Sequence, residues 1–269
     1  MRVLSNLLWP QTPYGADKRP YGHRTQLLTG AAMQWVDAGE AAVPASVAAV
    51  FVPVKRTRSV HVTSQTLHFG YWLAVSERDS DALDLLRGLD NIVVQGRRHS
   101  AGIAWHGFAD DLHVTQVLTS ERLPGFEALG KMWGDRARRE RGTAPVVDTA
   151  EDTGTLYGLP IQAAGAHGIV LGANLVIAQG PTLVQTTYEQ ITADEGGAEV
   201  LIQQLAAGIL GQALSVALVG GHALGKITWE KPFEVEHAVE LEAWHVLPLL
   251  YGTNAQRGHG THSVSAMHP

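Results

Sequence analysis

Hydrophobic and polar positions divide the chain unevenly, and the clearest period lies between Glu195 and Val219. There Ala198, Leu201, Ile202, Leu205, Ile209, Ala213 and Val216 recur at helical spacing. The stretch Leu205 to Val219 is apolar on nearly every face, which predicts a long buried helix over about 195–219. Its fifteen residues fall short of the roughly 20 needed to cross a bilayer. Gly208 and Gly211 cost about 1 kcal/mol each in a helix interior, so close packing against a neighbour is expected.

Upstream the period changes. From Val47 to Val75 the pattern is strand-like: Ser59–Thr63 alternates, and Leu67–Val75 is aromatic and apolar. Residues 52–75 therefore read as a long two-stranded loop. A short helix is predicted over Asp81–Leu89, followed by a segment punctuated at Gly96, Gly102 and Gly107. A second helix is predicted over Glu121–Arg141, started by Pro124-Gly125 and stopped by Gly142. Further strands are expected at 167–178, 182–188, 226–229, 233–236 and 239–244. The predicted class is α+β, with mixed sheets around one long buried helix.

Both ends lack such patterns. Pro10, Pro13 and Pro20, with turns at Pro13-Tyr14-Gly15 and Pro20-Tyr21-Gly22, make residues 1–30 an extended N-terminal arm. Residues 31–251 form a single α+β domain, and the Gly/His/Ser-rich 252–269 is a polar C-terminal tail. The arm and tail are too poor in apolar area to offset an ordering cost of roughly 1–2 kcal/mol per residue. They are expected to contribute little to their own core.

Composition narrows the chemistry. The 269 residues carry 20 Lys+Arg and 26 Asp+Glu, a net charge of −6, and no cysteine. Disulfide scaffolds, thiolate metal sites and cysteine nucleophiles are thereby excluded. The N-terminus shows no secretory pattern, so export by a signal peptide is not expected and a cytoplasmic location is. Gly220-Gly221-His222-Ala223-Leu224-Gly225-Lys226 matches a phosphate loop, but Ile227 replaces the magnesium-binding hydroxyl and a strand is predicted to follow. A plain glycine-rich turn is the expectation. His99, His106 and His113 recur every seven residues beside Asp110 and Asp111, yet the glycines between them break a continuous helix, and no metal or cofactor site is assigned. Glu234, Glu236, Glu240 and Glu242 read as carboxylate pairs on solvated strand faces. The hydrolase elbow, the dinucleotide fingerprint and the zinc-protease helix motif are all missing.

Basic residues are clustered: Lys55, Arg56 and Arg58; Arg97 and Arg98; and Arg136, Arg138, Arg139 and Arg141. Arginine outnumbers lysine fifteen to five, which suits bidentate contacts to phosphate or carboxylate. These nine are the candidate interface or phosphate-contact residues, with acidic neighbouring subunits weighed ahead of nucleic acid.

In order, an arm (1–30), a two-stranded loop (52–75) and a helix running into Leu89-Asp90-Asn91-Ile92-Val93-Val94-Gln95-Gly96 lead to Gly102-Ile103. A helix (121–141), a strand (168–178), the 195–219 helix and terminal strands (226–244) follow. This order resembles the shell fold of tailed-phage major capsid proteins and encapsulins. The resemblance implies a non-enzymatic protein that assembles with copies of itself into a virion or compartment shell. A second likeness is to CRISPR-associated RNA-binding subunits with ferredoxin-like halves. It rests on the glycine-rich loops Gly96–Ile103 and Gly220–Lys226, each preceding a tryptophan (Trp105, Trp229), and implies RNA phosphates against those loops and their arginines. A third possibility, a small-molecule enzyme, requires a pocket with convergent polar groups around His99, His106 and His113.

Overall fold

The computed structural model describes residues 1–7, 25–39, 41–135, 145–153, 159–172, 175, 180–193, 198–243 and 246. Its strands are β1 (Arg2–Ser5), β2 (Thr25–Asp37), β3 (Ala42–Lys55), β4 (Val60–Val62), β5 (Gly70–Val75), β6 (Ser100–Trp105), β7 (Val146–Asp148), β8 (Ile169–Val170), β9 (Ile227–Trp229) and β10 (Phe233–Glu234). Six of them form a central mixed sheet in the order β1-β5-β3-β2-β6-β7. β2, β6 and β7 run parallel, while β3 is antiparallel to both β2 and β5. Two small parallel pairs, β4 with β9 and β8 with β10, lie outside this sheet.

Helices cover both faces of the sheet, which is why β3 reads as an almost unbroken apolar run, AVPASVAAVFVPV, rather than an alternating one. One face of β2 and β3 presents Leu27, Ala31, Met33, Val47 and Phe51 to α1 (Ala82–His99), α2 (Phe108–Leu118) and α3 (Pro124–Gly134). The other presents Leu28, Ala32, Ala48, Val50 and Val52 to α6 (Glu199–Ala223), which lies beneath α4 (Pro160–Ala166), α5 (Pro181–Ala193) and α7 (Val235–Ala243). Flanked in this way, α6 is buried almost all round. Its length and composition would suit a membrane span, but 78% of its apolar window is packed inside the protein.

Glycine sets the distance between α6 and the sheet. A Cβ on Gly30 of β2 would lie 2.5 Å from the Ala213 carbonyl oxygen and 2.6 Å from the Ala217 amide nitrogen, both backbone atoms of α6. The helix therefore packs directly onto bare strand backbone.

The α+β class, the mixed sheets and the long buried helix stand as the sequence predicts, while several finer expectations are corrected. Residues 1–30 are not wholly an arm: Arg2–Ser5 pairs with β5 and Thr25–Gly30 opens β2 at the sheet centre. The two-stranded segment becomes the end of β3 and β5, paired from Ser46↔Val75 to Phe51↔Gly70. α1 continues past Leu89 to His99, because Ile92 and Val93 extend its buried face and the bare face of Gly96 fits against Thr29. Strands are expected at 182–188 and 239–244, but 182–188 and the described part of the second segment, 239–243, are helical. Residues 182–188 fall in α5, where Val184, Tyr188 and Ile191 make a buried stripe, and 239–243 fall in α7. Of the predicted 121–141 helix, α3 occupies 124–134. Arg136, Arg138, Arg139 and Arg141 lie outside the described residues, as do the tail 252–269 and residues 173–174 and 176–178 of the strand expected at 167–178, of which only Ile169–Val170 is strand among those described.

Candidate functional site

β6 pairs with β2 only as far as Gly30↔Ala104, whereas β2 runs on to Asp37. The corner left beyond the end of β6 is a cleft of about 360 Å³ at the carboxyl ends of the parallel strands β2, β6 and β7. Ligands of open α/β sheets commonly bind at such ends. One wall is β2 itself, a second is the turn after β6 with the start of α2, and α4, α5 and α6 close the far side. α5 is tied to the end of β2 by the Gln185 carboxamide, whose Oε1 accepts from Asp37 N (2.8 Å) and whose Nε2 donates to Asp37 O (2.9 Å).

The β2 wall carries a bulge. The β2–β3 register slips between Gln34 and Trp35, so that Gln34 faces Ser46 while Trp35 faces Pro44. Such bulges redirect side chains, and the missing N–H of Pro44 is tolerated there. Gln34 is 6% exposed. Its Oε1 accepts from Ser46 Oγ at 2.6 Å, and its Nε2 has no hydrogen-bond acceptor among the described residues. A buried donor left unpaired is costly. The residue that carries this one is among those lining the cleft.

Asp111, in the first turn of α2, lies between two indoles. Trp35 Nε1 donates to its Oδ1 at 2.8 Å and Trp105 Nε1 to its Oδ2 at 2.6 Å. The residue is half-buried and lines the cleft. Burial raises its pKa from the ordinary carboxylate range to about 7, helped by the negative Asp110 and Asp148 and opposed by the two indole N–H bonds. Asp110 is exposed at the cleft mouth.

His106 follows β6 on the same wall. The Thr149 hydroxyl donates to the Trp105 carbonyl (3.3 Å) and so accepts from His106 Nδ1 (2.9 Å). This leaves Nε2 as the basic ring nitrogen. The wall is fixed by Asp148, whose carboxylate accepts from the Gly107, Phe108 and Ala150 amides at 2.8–3.1 Å. Two of these are the first orphan donors of α2. Gly107, at φ 70° and ψ 40°, makes the left-handed turn that this capping requires.

Of the three histidines expected around an enzyme pocket, only His106 lines the cleft. His99 ends α1 and His113 is exposed on α2. Among the described residues no group of three His, Asp or Glu could hold a metal ion. Of the expected glycine-rich turn Gly220–Lys226, residues 220–223 are the last turn of α6 and only 224–226 turn into β9. The glutamate pairs do not share strand faces. Glu234 ends β10, whereas Glu236, Glu240 and Glu242 are on α7, where Glu240 pairs with His237 at 3.5 Å and Glu242 with His68. A separate aromatic cluster joins His222 to Trp229 (5.1 Å) and His167 (6.1 Å), with burial pulling His167 below the usual histidine value.

The described basic candidates gather at the opposite end of the sheet. Lys55 closes β3 opposite Thr25, Arg56 and Arg58 follow in an exposed turn, and Lys226 Nζ donates to the Arg56 carbonyl at 3.0 Å. Arg97 and Arg98 end α1 just before Ser100, which faces Leu27. Arg97 Nε meets Met132 Sδ at 3.3 Å, and none of the five has a carboxylate within ion-pair reach among the described residues. By contrast Arg2, Arg87 and Arg122 are all ion-paired.

The signals for the cleft are present in the sequence but separated along it. Gln34, Trp35, His106, Asp111 and Asp148 lie on four different segments, and only the sheet order brings them together. No family model matches the chain, and neither a curated protein nor a solved structure matches it.

Proposed function

We propose that the chain is a small-molecule-binding protein whose cleft is equipped for proton transfer, and thus an enzyme-like module. The observation that carries this reading is the convergence, in one concave corner, of an unpaired buried amide donor, a histidine with its basic nitrogen set and a carboxyl poised near neutrality. Perturbed titratable groups in a cleft are what acid–base chemistry requires. The reading departs from the expectation of a non-enzymatic shell protein. Self-assembly through a free N-terminal arm is less favoured because Arg2–Ser5 is paired with its own β5.

Blocking the cleft tests the reading. Gly180 lines it, and a Cβ there meets nothing within 4 Å. Gly180→Phe and, on the opposite wall, Ala150→Phe should fold normally by circular dichroism. Both should lose the fragments that wild-type protein binds in saturation-transfer NMR against a polar fragment library. Fragments that bind both variants as well as wild type would refute the site.

The unpaired basic end favours a second reading, contact with a nucleic-acid backbone. Among the described residues no large exposed apolar side chain accompanies these cations, unlike the core of a protein interface. A labelled 20-nucleotide RNA should then bind with an affinity that falls steeply between 50 and 200 mM salt. Arg97→Ala with Arg98→Ala should flatten that slope by about two ions. Salt-independent binding, or a slope unchanged by the double variant, argues instead for acidic neighbours. Size-exclusion chromatography with negative-stain microscopy then tests for particles.

A further inference from the structure

We infer that the cleft takes a small amine that also carries a hydrogen-bond acceptor, its ammonium toward Asp110 and Asp111 and its hydroxyl or carbonyl toward Gln34 Nε2. This rests on the cleft being the functional site, and it adds the chemical class of the occupant.

Three observations select the class. First, the charged side chains lining the cleft are Asp110 and Asp111, and neither lysine nor arginine is among its described lining residues. An anion would enter against both carboxylates, whereas an ammonium meets complementary charge. Second, the ring of Trp35 stands in the same wall, held in place because its Nε1 is bound to Asp111. Its indole is a surface that cations favour.

Third, carboxylates alone would suit any cation, and Gln34 is what makes the site selective. Ser46 Oγ holds its Oε1 at 2.6 Å, which leaves Nε2 as the unpaired end of a buried carboxamide whose residue lines the cleft. A ligand that leaves this donor unpaired forgoes a buried hydrogen bond, so an acceptor at that end is required for tight binding. At about 360 Å³ the space is at the small end of ligand pockets, which matches a compact molecule and not a polymer segment.

Four probes separate these elements using the full chain: glycinamide (ammonium and carbonyl), ethylamine (ammonium only), acetamide (carbonyl only) and acetate. Affinities come from ligand-observed NMR titration. Glycinamide should bind about tenfold tighter than acetamide, through the charge, and several-fold tighter than ethylamine, through Gln34. Asp110→Asn, an exposed substitution that leaves the fold intact, should remove most of the amine preference and leave acetamide unchanged. Gly180→Phe should abolish binding of all the probes. If acetate or acetamide binds wild type as tightly as glycinamide, the ligand class is wrong while the cleft stands as a site. If glycinamide binds Gly180→Phe undiminished, the cleft reading itself fails.

Discussion

Replacing Gly30 with valine should abolish the folded state, and Gly30→Ala should destabilise it by about 3 kcal/mol, the upper end for overpacking a tight core. The reason lies in what surrounds the missing side chain. A Cβ at this position meets the Ala213 carbonyl oxygen at 2.5 Å and Ala217 N at 2.6 Å, which are helix backbone and not the ends of flexible side chains. α6 cannot retreat, because Leu205, Ile209 and Leu210 are fully buried and α4, α5 and α7 lie against it. β2 cannot retreat either, since α1 and Phe51 occupy its other face. Two β-branched methyls would open the main interface of the molecule, against a total stability of roughly 5–15 kcal/mol for a typical domain. Urea denaturation followed by far-ultraviolet circular dichroism measures the alanine variant, and soluble yield measures the valine one. A Gly30→Ala midpoint within about 1 kcal/mol of wild type would mean that the helix is free to slide, contrary to its packing.

The same contact shows which parts of the fold are legible in the sequence. The long helix can be read because its burial is written into its own residues, apolar on every face from Leu205 to Val219. β3 can be read for the same reason. What the pattern does not reveal depends on partners distant in the chain. α2 lacks a local start signal because its cap is Asp148, forty residues later. α5 and α7 look strand-like by propensity and become helices because their buried stripes face α6 and β2. Residues 25–30 look like part of an arm because prolines precede them, yet they open the central strand. The site follows the same rule. In the sequence Asp110 and Asp111 form only a weak metal motif with His113, His106 is one of three histidines spaced seven apart, and Gln34 and Trp35 carry no motif at all. Their importance comes from the bulge at Gln34/Trp35 and from β6 ending short of β2, both properties of pairing.

Raising the pH from 4 to 8 should cost this protein stability at Asp111, and Asp111→Asn should reverse the order of stabilities across that range. The carboxyl has a pKa of about 7 when folded, against the ordinary 3.8. Between these values the folded protein keeps a proton that the unfolded chain has released. Stability from this group is therefore fully present below about pH 4, falls as pH rises, and is gone above pH 7–8. The full span is at most roughly 4 kcal/mol, since each tenfold change in proton affinity corresponds to about 1.4 kcal/mol. Asparagine carries no such dependence, but its Nδ2 must face one of two indole N–H groups that in wild type both meet carboxyl oxygens. That mismatch costs about 1–3 kcal/mol at every pH. Wild type should therefore be the more stable protein at pH 4 and Asp111→Asn the more stable at pH 8, with the two curves crossing between. Taking the difference between the two proteins at each pH cancels the titration of all other groups. Urea denaturation at pH 4, 5, 6, 7 and 8 provides the comparison, and parallel curves would mean that burial does not raise the Asp111 carboxyl in the fold. A wild type that instead gains on the variant as pH rises would place a cation beside the carboxylate, and the charge assigned to the cleft would be wrong.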